Sequence, residues 1–303
     1  MTISLLPISY DAVPKEGERS IWLGKIAGTD VNAYFDMDKL MRHALIAGGP
    51  SVGKTHAAMV IAEECLMKNI PVVVFEPYVR WTGFAKPCTN REMLDLYPKF
   101  GLDKKSARAF PTNIIEIIDP HLEVDILKFV KDGEITVFVL DKLTPNSYNK
   151  FFEKNILDLF FGREEYRELR MLMIFEDAYR LLPAFGGGGA IVLERACREL
   201  RKWGFGLVIV THLFSDFDVS VIGNLETDIM MSTVYDKDVM LAQERWGSME
   251  HGRAIATLGV GKALIQNRAF NYTKPWAIEF RPLLHQSGKM SDREIKNAKM
   301  PYF

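Results

Sequence analysis

Short apolar runs alternate with segments of helical periodicity along most of this chain. The runs with the length and composition of buried strands are "HALIAGG", "IPVVVFEP", "NIIEIID", "ITVFVLD", "RMLMIFED" and "GFGLVIVTH". Helical patterns lie between them in "KTHAAMVIAEECLMKN", "IVLERACRELRKW" and "YNKFFEKNILDLFFGREEYREL", the last with Phe152, Ile156, Leu159 and Phe160 on one stripe. This alternation predicts an α/β fold, with a mostly parallel central sheet and helices on both faces.

The same pattern predicts one domain over residues 23–285. Residues 1–22 are expected to form an N-terminal extension, and residues 286–303 a short polar tail. The polar, irregular stretch 78–111 is expected to be an insertion over the sheet edge. Near the end, "DIMMSTV", "GKALIQN" and "WAIEF" are expected to extend the sheet.

Composition is ordinary for a globular protein, with 48% hydrophobic residues, 25% charged residues and a formal net charge of −1. That balance gives no strongly basic tail or surface, although it leaves room for a local basic lining. The cysteines Cys65, Cys88 and Cys197 lack metal-ligand spacing and are expected to be reduced thiols. We find no signal peptide and no membrane-length apolar run. The expected location is the cytoplasm, of a prokaryotic cell or of the host cell if the protein is viral.

A phosphate-binding loop lies in "IAGGPSVGKTH", where Gly48, Gly53, Lys54 and Thr55 satisfy the pattern G-x-x-x-x-G-K-[ST]. It follows a strand and opens a helix, so backbone N–H groups and the helix N-terminus can bind phosphate oxygens. Lys54 can reach the β- and γ-phosphates, and the Thr55 hydroxyl can bind Mg²⁺. The nucleotide-binding residues expected here are Gly48, Gly49, Pro50, Ser51, Val52, Gly53, Lys54, Thr55 and His56.

Hydrolysis also needs an acid for Mg²⁺ and a group that polarises water. Two strands compete for this role, one ending in Asp141 and the other in Glu176 and Asp177. Asp141 is followed by Lys142, which puts a positive charge beside a carboxylate that would have to bind Mg²⁺. We therefore expect Glu176 to hold Mg²⁺ and Asp177 to polarise the water. The alternative is that both acids only cap the helix that follows.

Polar residues end the neighbouring strand at Thr211 and His212, where a γ-phosphate could be sensed. A strand-end pair with satisfied hydrogen bonds is the alternative. Basic residues also crowd the helix before that strand: Arg195, Arg198, Arg201 and Lys202. One arginine could reach a neighbouring subunit's nucleotide, although a solvated surface role is open for each of them.

Other nucleotide-binding classes lack their signatures here. A GTPase should carry N-K-x-D, but "YNKFFEKN" has Phe152 in the place of the aspartate. A transporter ATPase should carry L-S-G-G-Q, which "FGGGGA" does not match, and no substrate lid of a small-molecule kinase is recognisable.

The combined motifs resemble the HerA/FtsK family of ATPases over Leu23 to Pro282. The similar stretches are "LGKIAGTDVNAYFDMDKLMRHALIAGGPSVGKT", "ITVFVLDKL", "MLMIFEDAYRLLP", "LERACRELRKWGFGLVIVTHLFSDF" and "GVGKALI". The resemblance implies a RecA-like P-loop NTPase that hydrolyses ATP with Mg²⁺ and moves double-stranded DNA through a ring, usually a hexamer. It implies Arg201 as the arginine that acts in trans, and it places His212 where the family usually has a glutamine sensor.

This sequence departs from that family in three places. His212 replaces the glutamine that couples to the γ-phosphate, although an imidazole can also form hydrogen bonds. Asp177 is one methylene shorter than the usual catalytic glutamate, so turnover is expected to be slow. Only about 22 residues precede the "LG" segment, so we expect the chain to lack the N-terminal β-barrel domain of cellular HerA. The build is closest to packaging and transfer motors, with a recruiting protein as a possible partner.

Basic clusters could supply a DNA contact. One comprises Lys104, Lys105 and Arg108, and another comprises Arg80, Lys86 and Arg91. Solvated insertions are the alternative for both. The leading hypothesis is an ATP-driven, ring-forming DNA translocase. Its rivals are a P-loop ATPase that powers protein assembly or secretion without DNA, and an ATP-binding switch subunit with negligible hydrolysis.

Overall fold

One mixed sheet of eleven strands organises the part of the chain that the structure describes. The computed structural model describes residues 14–160, 164–181, 188–217, 219–269, 274–291 and 294. The strands are β1 (Ser20–Ile26), β2 (Asn32–Asp36), β3 (Ala44–Ala47), β4 (Val72–Glu76), β5 (Thr112–Glu116), β6 (Ile135–Val139), β7 (Met171–Phe175), β8 (Phe205–Thr211), β9 (Thr227–Met231), β10 (Lys262–Asn267) and β11 (Trp276–Phe280). Their spatial order is β2-β1-β11-β10-β9-β3-β8-β7-β4-β6-β5.

The sheet has a parallel part and an antiparallel part. Every neighbouring pair from β9 through β3, β8, β7, β4 and β6 to β5 is parallel. The strands β10, β11, β1 and β2 pair antiparallel at the other end. The α/β fold with a mostly parallel sheet is confirmed, and all the apolar runs expected to be strands are strands. Because parallel strands share a direction, the carboxyl ends of β3, β7 and β8 meet at one edge.

Helices cover both faces of the sheet. They are α1 (Lys54–Met67), α2 (Arg91–Leu96), α3 (Pro145–Ile156), α4 (Gly189–Glu199), α5 (Val219–Ile222), α6 (Asp236–Trp246) and α7 (Met249–Thr257). On one face α1 packs in a core with side chains from residues 79–110 and 283–290. On the other face a second core contains residues of α3, α4, α6 and α7. No helix of the described residues is both long enough and apolar enough to cross a bilayer.

The stretch 78–111 lies over the end of the sheet that carries β5, on the same face as α1. Its buried side chains Trp81, Phe84, Tyr97 and Phe110 belong to the core around α1. The chain at 281–291 runs over it: Cys88 N and Arg108 N both donate to the Leu284 carbonyl oxygen, at 2.9 and 2.8 Å. The insertion is therefore a packed part of the domain.

Element boundaries differ from expectation in three places. Strand β1 begins at Ser20, inside the residues expected to precede the domain. Helix α3 ends at Ile156 and gives way to a 3-10 turn, Leu157–Phe160. Residues 164–170 are not helical and lead into β7, where Arg170 N donates to the Gly204 carbonyl oxygen at 2.7 Å. Residues 286–291, expected in a polar tail, fold onto the insertion and bury Met290. Residues 1–13, 295–303 and the first half of the glycine run lie outside the described residues.

Candidate nucleotide-binding site

The phosphate loop connects β3 to α1 in a conformation that depends on its glycines. Gly53, directly before α1, has a φ of 105°, and Ser51 has a φ of 58°. The left-handed value at Gly53 is unfavourable for any residue with a Cβ. Two backbone bonds fix the loop from outside: Gly49 N donates to Ser232 at 2.7 Å, and Gly261 N donates to the Val52 carbonyl oxygen at 2.9 Å. The loop is thus held between β3, β9 and the turn before β10.

A cavity of about 480 Å³ opens at the carboxyl ends of β3, β7 and β8. Its lining residues are Pro50, Ser51, Gly53, Lys54, Thr55, His56, Arg80, Glu176, Asp177 and His212. The structure therefore brings most of the expected loop residues together with both acids and His212. Gly48, Gly49 and Val52 shape the loop behind this lining.

Lys54 reaches back over its own loop. Its Nζ donates to the Gly49 carbonyl oxygen at 2.7 Å and lies 3.3 Å from His212 Nδ1. Since an ammonium group only donates, His212 accepts through Nδ1 and carries its proton on Nε2. Burial lowers the pKa of Lys54, an effect that the nearby acids Asp177 and Glu176 oppose. The ammonium group is therefore partly desolvated and placed where a phosphate could replace the Gly49 carbonyl.

Glu176, at the end of β7, is buried against the first turn of α1. The Thr55 hydroxyl donates to Glu176 Oε1 at 2.5 Å, and Trp81 Nε1 donates to Oε2 at 3.2 Å. Burial raises the pKa of Glu176 to about 7, although the bond from Thr55 works in the other direction. In the described residues no three His, Cys, Asp or Glu side chains form a metal-binding group. Thr55 and Glu176 fit a Mg²⁺ ion that takes its remaining ligands from phosphates and water.

Asp177 follows Glu176 with a strained backbone. Its φ is 51°, a left-handed value that a non-glycine residue rarely adopts. The Asp177 Oδ1 atom lies 3.4 Å from His212 Nε2, and the His212 ring lies 5.8 Å from that of Tyr179. Lys54, His212 and Asp177 therefore form a continuous polar chain along the cavity wall. Strain of this kind at a cavity is typical of functional sites.

A further carboxylate, Glu76, lies beside this acid pair at the end of β4, where sequence reasoning assigned no function. It accepts two backbone bonds, from Arg80 N at 2.7 Å and from Trp81 N at 2.9 Å. Burial raises the pKa of Glu76 to about 8, and the nearby Glu176 adds to the rise. The signal available in the sequence was "FEP", which ends an apolar strand in an acid just as "FED" does.

Part of the chain matches a known protein family. Residues 21–98 match the family model described as "Helicase HerA, central domain" (DUF87). That match runs from β1 to α2 and includes the phosphate loop. Over these residues the chain is similar to HerA, so the expected resemblance to the HerA/FtsK family is confirmed. A search of curated proteins gives no significant match.

Three solved structures are among those with similar folds. VirB4 of Thermoanaerobacter pseudethanolicus is 11% identical, with a TM-score of 0.56, over 92% of this chain and 99% of that one. The pCW3 conjugation coupling protein TcpA, in a monomer form with ATPγS, is 13% identical, with a TM-score of 0.50, over 91% and 69%. The genome packaging NTPase B204 of Sulfolobus turreted icosahedral virus 2, with AMPPCP, is 14% identical, with a TM-score of 0.49, over 80% and 97%. At these identities the likeness to VirB4 and TcpA shows the fold alone.

Several residues considered for this site lie outside the cavity or have other partners. Asp141 pairs with Lys142 at 2.8 Å. Thr211 is fully buried and donates to Asp216 Oδ2 at 2.7 Å, as expected of a satisfied strand-end residue. His56 borders the cavity, but its Nε2 is 2.7 Å from the Arg281 carbonyl oxygen.

The three candidate arginines lie away from the cavity of their own subunit. Arg198 pairs with Glu194 at 3.0 Å, and Arg195 stacks over Phe160 at 4.9 Å. Arg201 is exposed in the 3-10 turn that precedes β8, at the opposite edge of the sheet from the cavity. Of the basic residues considered for DNA, Lys86 pairs with Glu294, and Arg80 lines the cavity itself. Lys104, Lys105 and Arg108 are exposed, and so is Arg91.

Proposed function

We propose that this NTPase is an ATP-hydrolysing DNA translocase that acts as a homo-oligomeric ring of six subunits, in DNA packaging or transfer. The observation that carries the proposal is the single cavity that gathers Lys54, Thr55, Glu176, Asp177 and His212. Those groups are the ones that phosphoryl transfer to water requires: a cation for the phosphates, oxygen ligands for a metal, and a group that orients water.

Each side chain has a distinct task in this proposal. Lys54 exchanges its bond to the Gly49 carbonyl for the β- and γ-phosphate oxygens. Thr55 and Glu176 would hold Mg²⁺, which would neutralise charge on the phosphates. Asp177 accepts a hydrogen bond from the attacking water, and its neighbour His212 senses the γ-phosphate. Asp177 and His212 are 3.4 Å apart, so both can contact one water molecule.

DNA as the substrate is supported by the family whose model matches residues 21–98, described as a helicase. The fold shared with the conjugation coupling protein TcpA agrees with it, although a fold alone does not specify a substrate. The exposed residues Lys104, Lys105 and Arg108 remain candidates for the DNA contact. The chain as a whole is not basic, so symmetry would have to repeat a local basic lining around the ring.

A ring is supported by the position of Arg201. Strand β8 has seven residues and separates Arg201 from the cavity by about 20 Å, more than an arginine side chain can reach. Arg201 can therefore serve only a nucleotide bound to another copy. In this proposal it completes the neighbouring subunit's site, and a recruiting protein delivers the ring to its DNA.

The test is steady-state ATP hydrolysis with and without long double-stranded DNA, over a range of protein concentrations, with Lys54→Ala as the blank. We expect turnover that rises with DNA, increases cooperatively with protein concentration and is absent from the blank. Turnover that ignores DNA would instead indicate a motor for protein assembly or secretion. ATP binding without turnover would indicate a nucleotide switch. Either result would overturn the translocase.

A further inference from the structure

Among the described residues that line the nucleotide cavity, Arg80 is the one arginine. It comes from the turn after β4, next to the strand that carries Glu176. The positive charge of Arg80 contributes to the lowered pKa of Lys54 after burial, so its field extends to the phosphate-binding ammonium group. Arg80 is thus a second cation, besides Lys54, inside the subunit's own site.

The backbone of Arg80 is fixed in place. Glu76 accepts from the N–H groups of Arg80 and Trp81 with its two carboxylate oxygens, at 2.7 and 2.9 Å. The preceding residue, Val79, is buried and has a φ of 62°, which is a rare and costly value for a β-branched residue. Trp81 is fully buried and bonds to Glu176 through its indole nitrogen. The strained turn is thus tied to the same acid that faces Thr55.

The side chain of Arg80 is exposed and rests on an aromatic surface. Its guanidinium carbon lies 4.8 Å from the ring centroid of Tyr78. Arg180 holds that ring as well, since its Nη2 donates to the Tyr78 hydroxyl at 3.0 Å. An exposed cation–π contact is much weaker than a charge-assisted bond to a phosphate in a partly desolvated cavity. A γ-phosphate would therefore draw Arg80 away from Tyr78.

We propose that Arg80 is a catalytic residue that contacts the γ-phosphate of the nucleotide bound by its own subunit. This inference rests on the proposed ATP-binding site and adds a second arginine to it. Arg201 lies about 20 Å from the cavity along β8, so it could contact only a nucleotide bound to another copy. Arg80 lines the cavity of its own subunit and needs no second copy to reach the nucleotide. A guanidinium in cis stabilises the charge that develops on the transferred phosphoryl group, as an arginine does in some GTPases.

The first measurement is the affinity for ATPγS and for ADP, determined by fluorescence competition at protein concentrations from the nanomolar to the micromolar range. Because only ATPγS has a γ-phosphate, Arg80→Ala should weaken ATPγS about 10-fold or more and leave ADP nearly unchanged. The loss should be the same at every protein concentration, since the contact is within one subunit. Arg80→Lys should recover part of the preference, since it keeps the charge but not the fork of donors.

A matched control is Arg91→Ala, which removes an exposed arginine of the same segment outside the cavity. It should leave both affinities unchanged. An unchanged ratio of ATPγS to ADP affinity in Arg80→Ala would overturn the proposal. A loss that appears only at high protein concentration would place the contact between subunits and overturn the assignment in cis.

Turnover then separates this proposal from the proposed function. If the wild-type chain hydrolyses ATP, Arg80→Ala should lower kcat on the order of 100-fold or more. A kcat within two-fold of wild type would show that Arg80 has no catalytic role. If the wild-type chain does not hydrolyse ATP, the translocase fails, while the nucleotide affinities still test the contact with the γ-phosphate.

Discussion

The Thr55 hydroxyl donates to Glu176 Oε1 over 2.5 Å and so joins the phosphate loop directly to the acid at the end of β7. Glu176 is 1% exposed, and burial raises its pKa to about 7. Burial raises the pKa of the neighbouring Glu76 further, to about 8. Two buried carboxyl groups side by side cannot easily both be ionised, because burial outweighs the nearby charge of Arg80, which lowers the pKa of each. We therefore expect a metal ion that binds at Glu176 to displace a proton.

Binding of the Mg²⁺–nucleotide complex should release a proton from Glu176. Below pH 7 the carboxyl is mostly protonated, so metal binding must displace the proton, and apparent affinity should rise with pH up to about 7 and then level off. We expect close to one proton released at pH 6 and much less at pH 8.5, measured by titration calorimetry in buffers of different ionisation enthalpy. Glu176→Gln should abolish the release. The same release from that variant would assign the proton to another group.

His212 should be replaceable by glutamine better than by alanine. His212 accepts from Lys54 and faces Asp177, and a glutamine amide can also accept on one side and donate on the other. We expect His212→Ala to lower kcat by about 10- to 100-fold, and His212→Gln to stay within about 10-fold of wild type. Nucleotide affinity should change little in either. Equal loss in both variants would mean that the imidazole itself is required.

The core of this site could be predicted from local patterns. The phosphate loop is a contiguous motif, and Glu176, Asp177 and His212 each follow an apolar run directly. Once these runs are parallel strands, their ends must share an edge. The neighbouring order β3-β8-β7 then brings the three segments to one cavity.

The rest depended on contacts that no local pattern specifies. Glu76 and Arg80 lie at the site because β4 is next to β7 in the sheet. The composition of a strand does not specify its neighbours. The position of Arg80 also depends on the left-handed turn at Val79, a residue type that predicts extended structure. Likewise, Glu63 and Arg281 are 218 residues apart in sequence and form a buried ion pair.

Arg281 should be essential for stability. It is fully buried between Glu63, which it contacts at 2.6 Å, and Glu64, at 2.8 Å. Removing one partner of a buried pair leaves an uncompensated charge, so Arg281→Leu should lower the free energy of unfolding by about 3–5 kcal/mol. Chemical denaturation at pH 7 measures this. Arg253→Leu, at an exposed position of α7, is the control and should change it little.

Low pH should weaken the ion pair between Glu63 and Arg281. Burial favours the neutral form of Glu63, but the charge of Arg281 and the bond from His285 outweigh it and lower the pKa of Glu63 to about 2. A depressed pKa contributes stability above the unfolded value near 4.5, and this contribution is lost as the pH falls from about 4.5 toward 2. Arg281→Leu should therefore lose less stability over that pH range than wild type does. A parallel loss in both proteins would contradict the assignment.

Asp238 should control the loop that follows His212. It is fully buried in the first turn of α6 and accepts from Phe214 N at 3.0 Å and from Ser215 N at 2.9 Å. An asparagine keeps only one carbonyl oxygen for the two N–H groups, so Asp238→Asn should destabilise the loop by about 1–3 kcal/mol. We expect faster amide hydrogen exchange in residues 213–217 and a lower kcat, because His212 is the residue that this loop positions. Asp236→Asn, an exposed change in the same turn, should alter neither. Faster exchange with an unchanged kcat would show that the fixed loop is not needed for the task of His212.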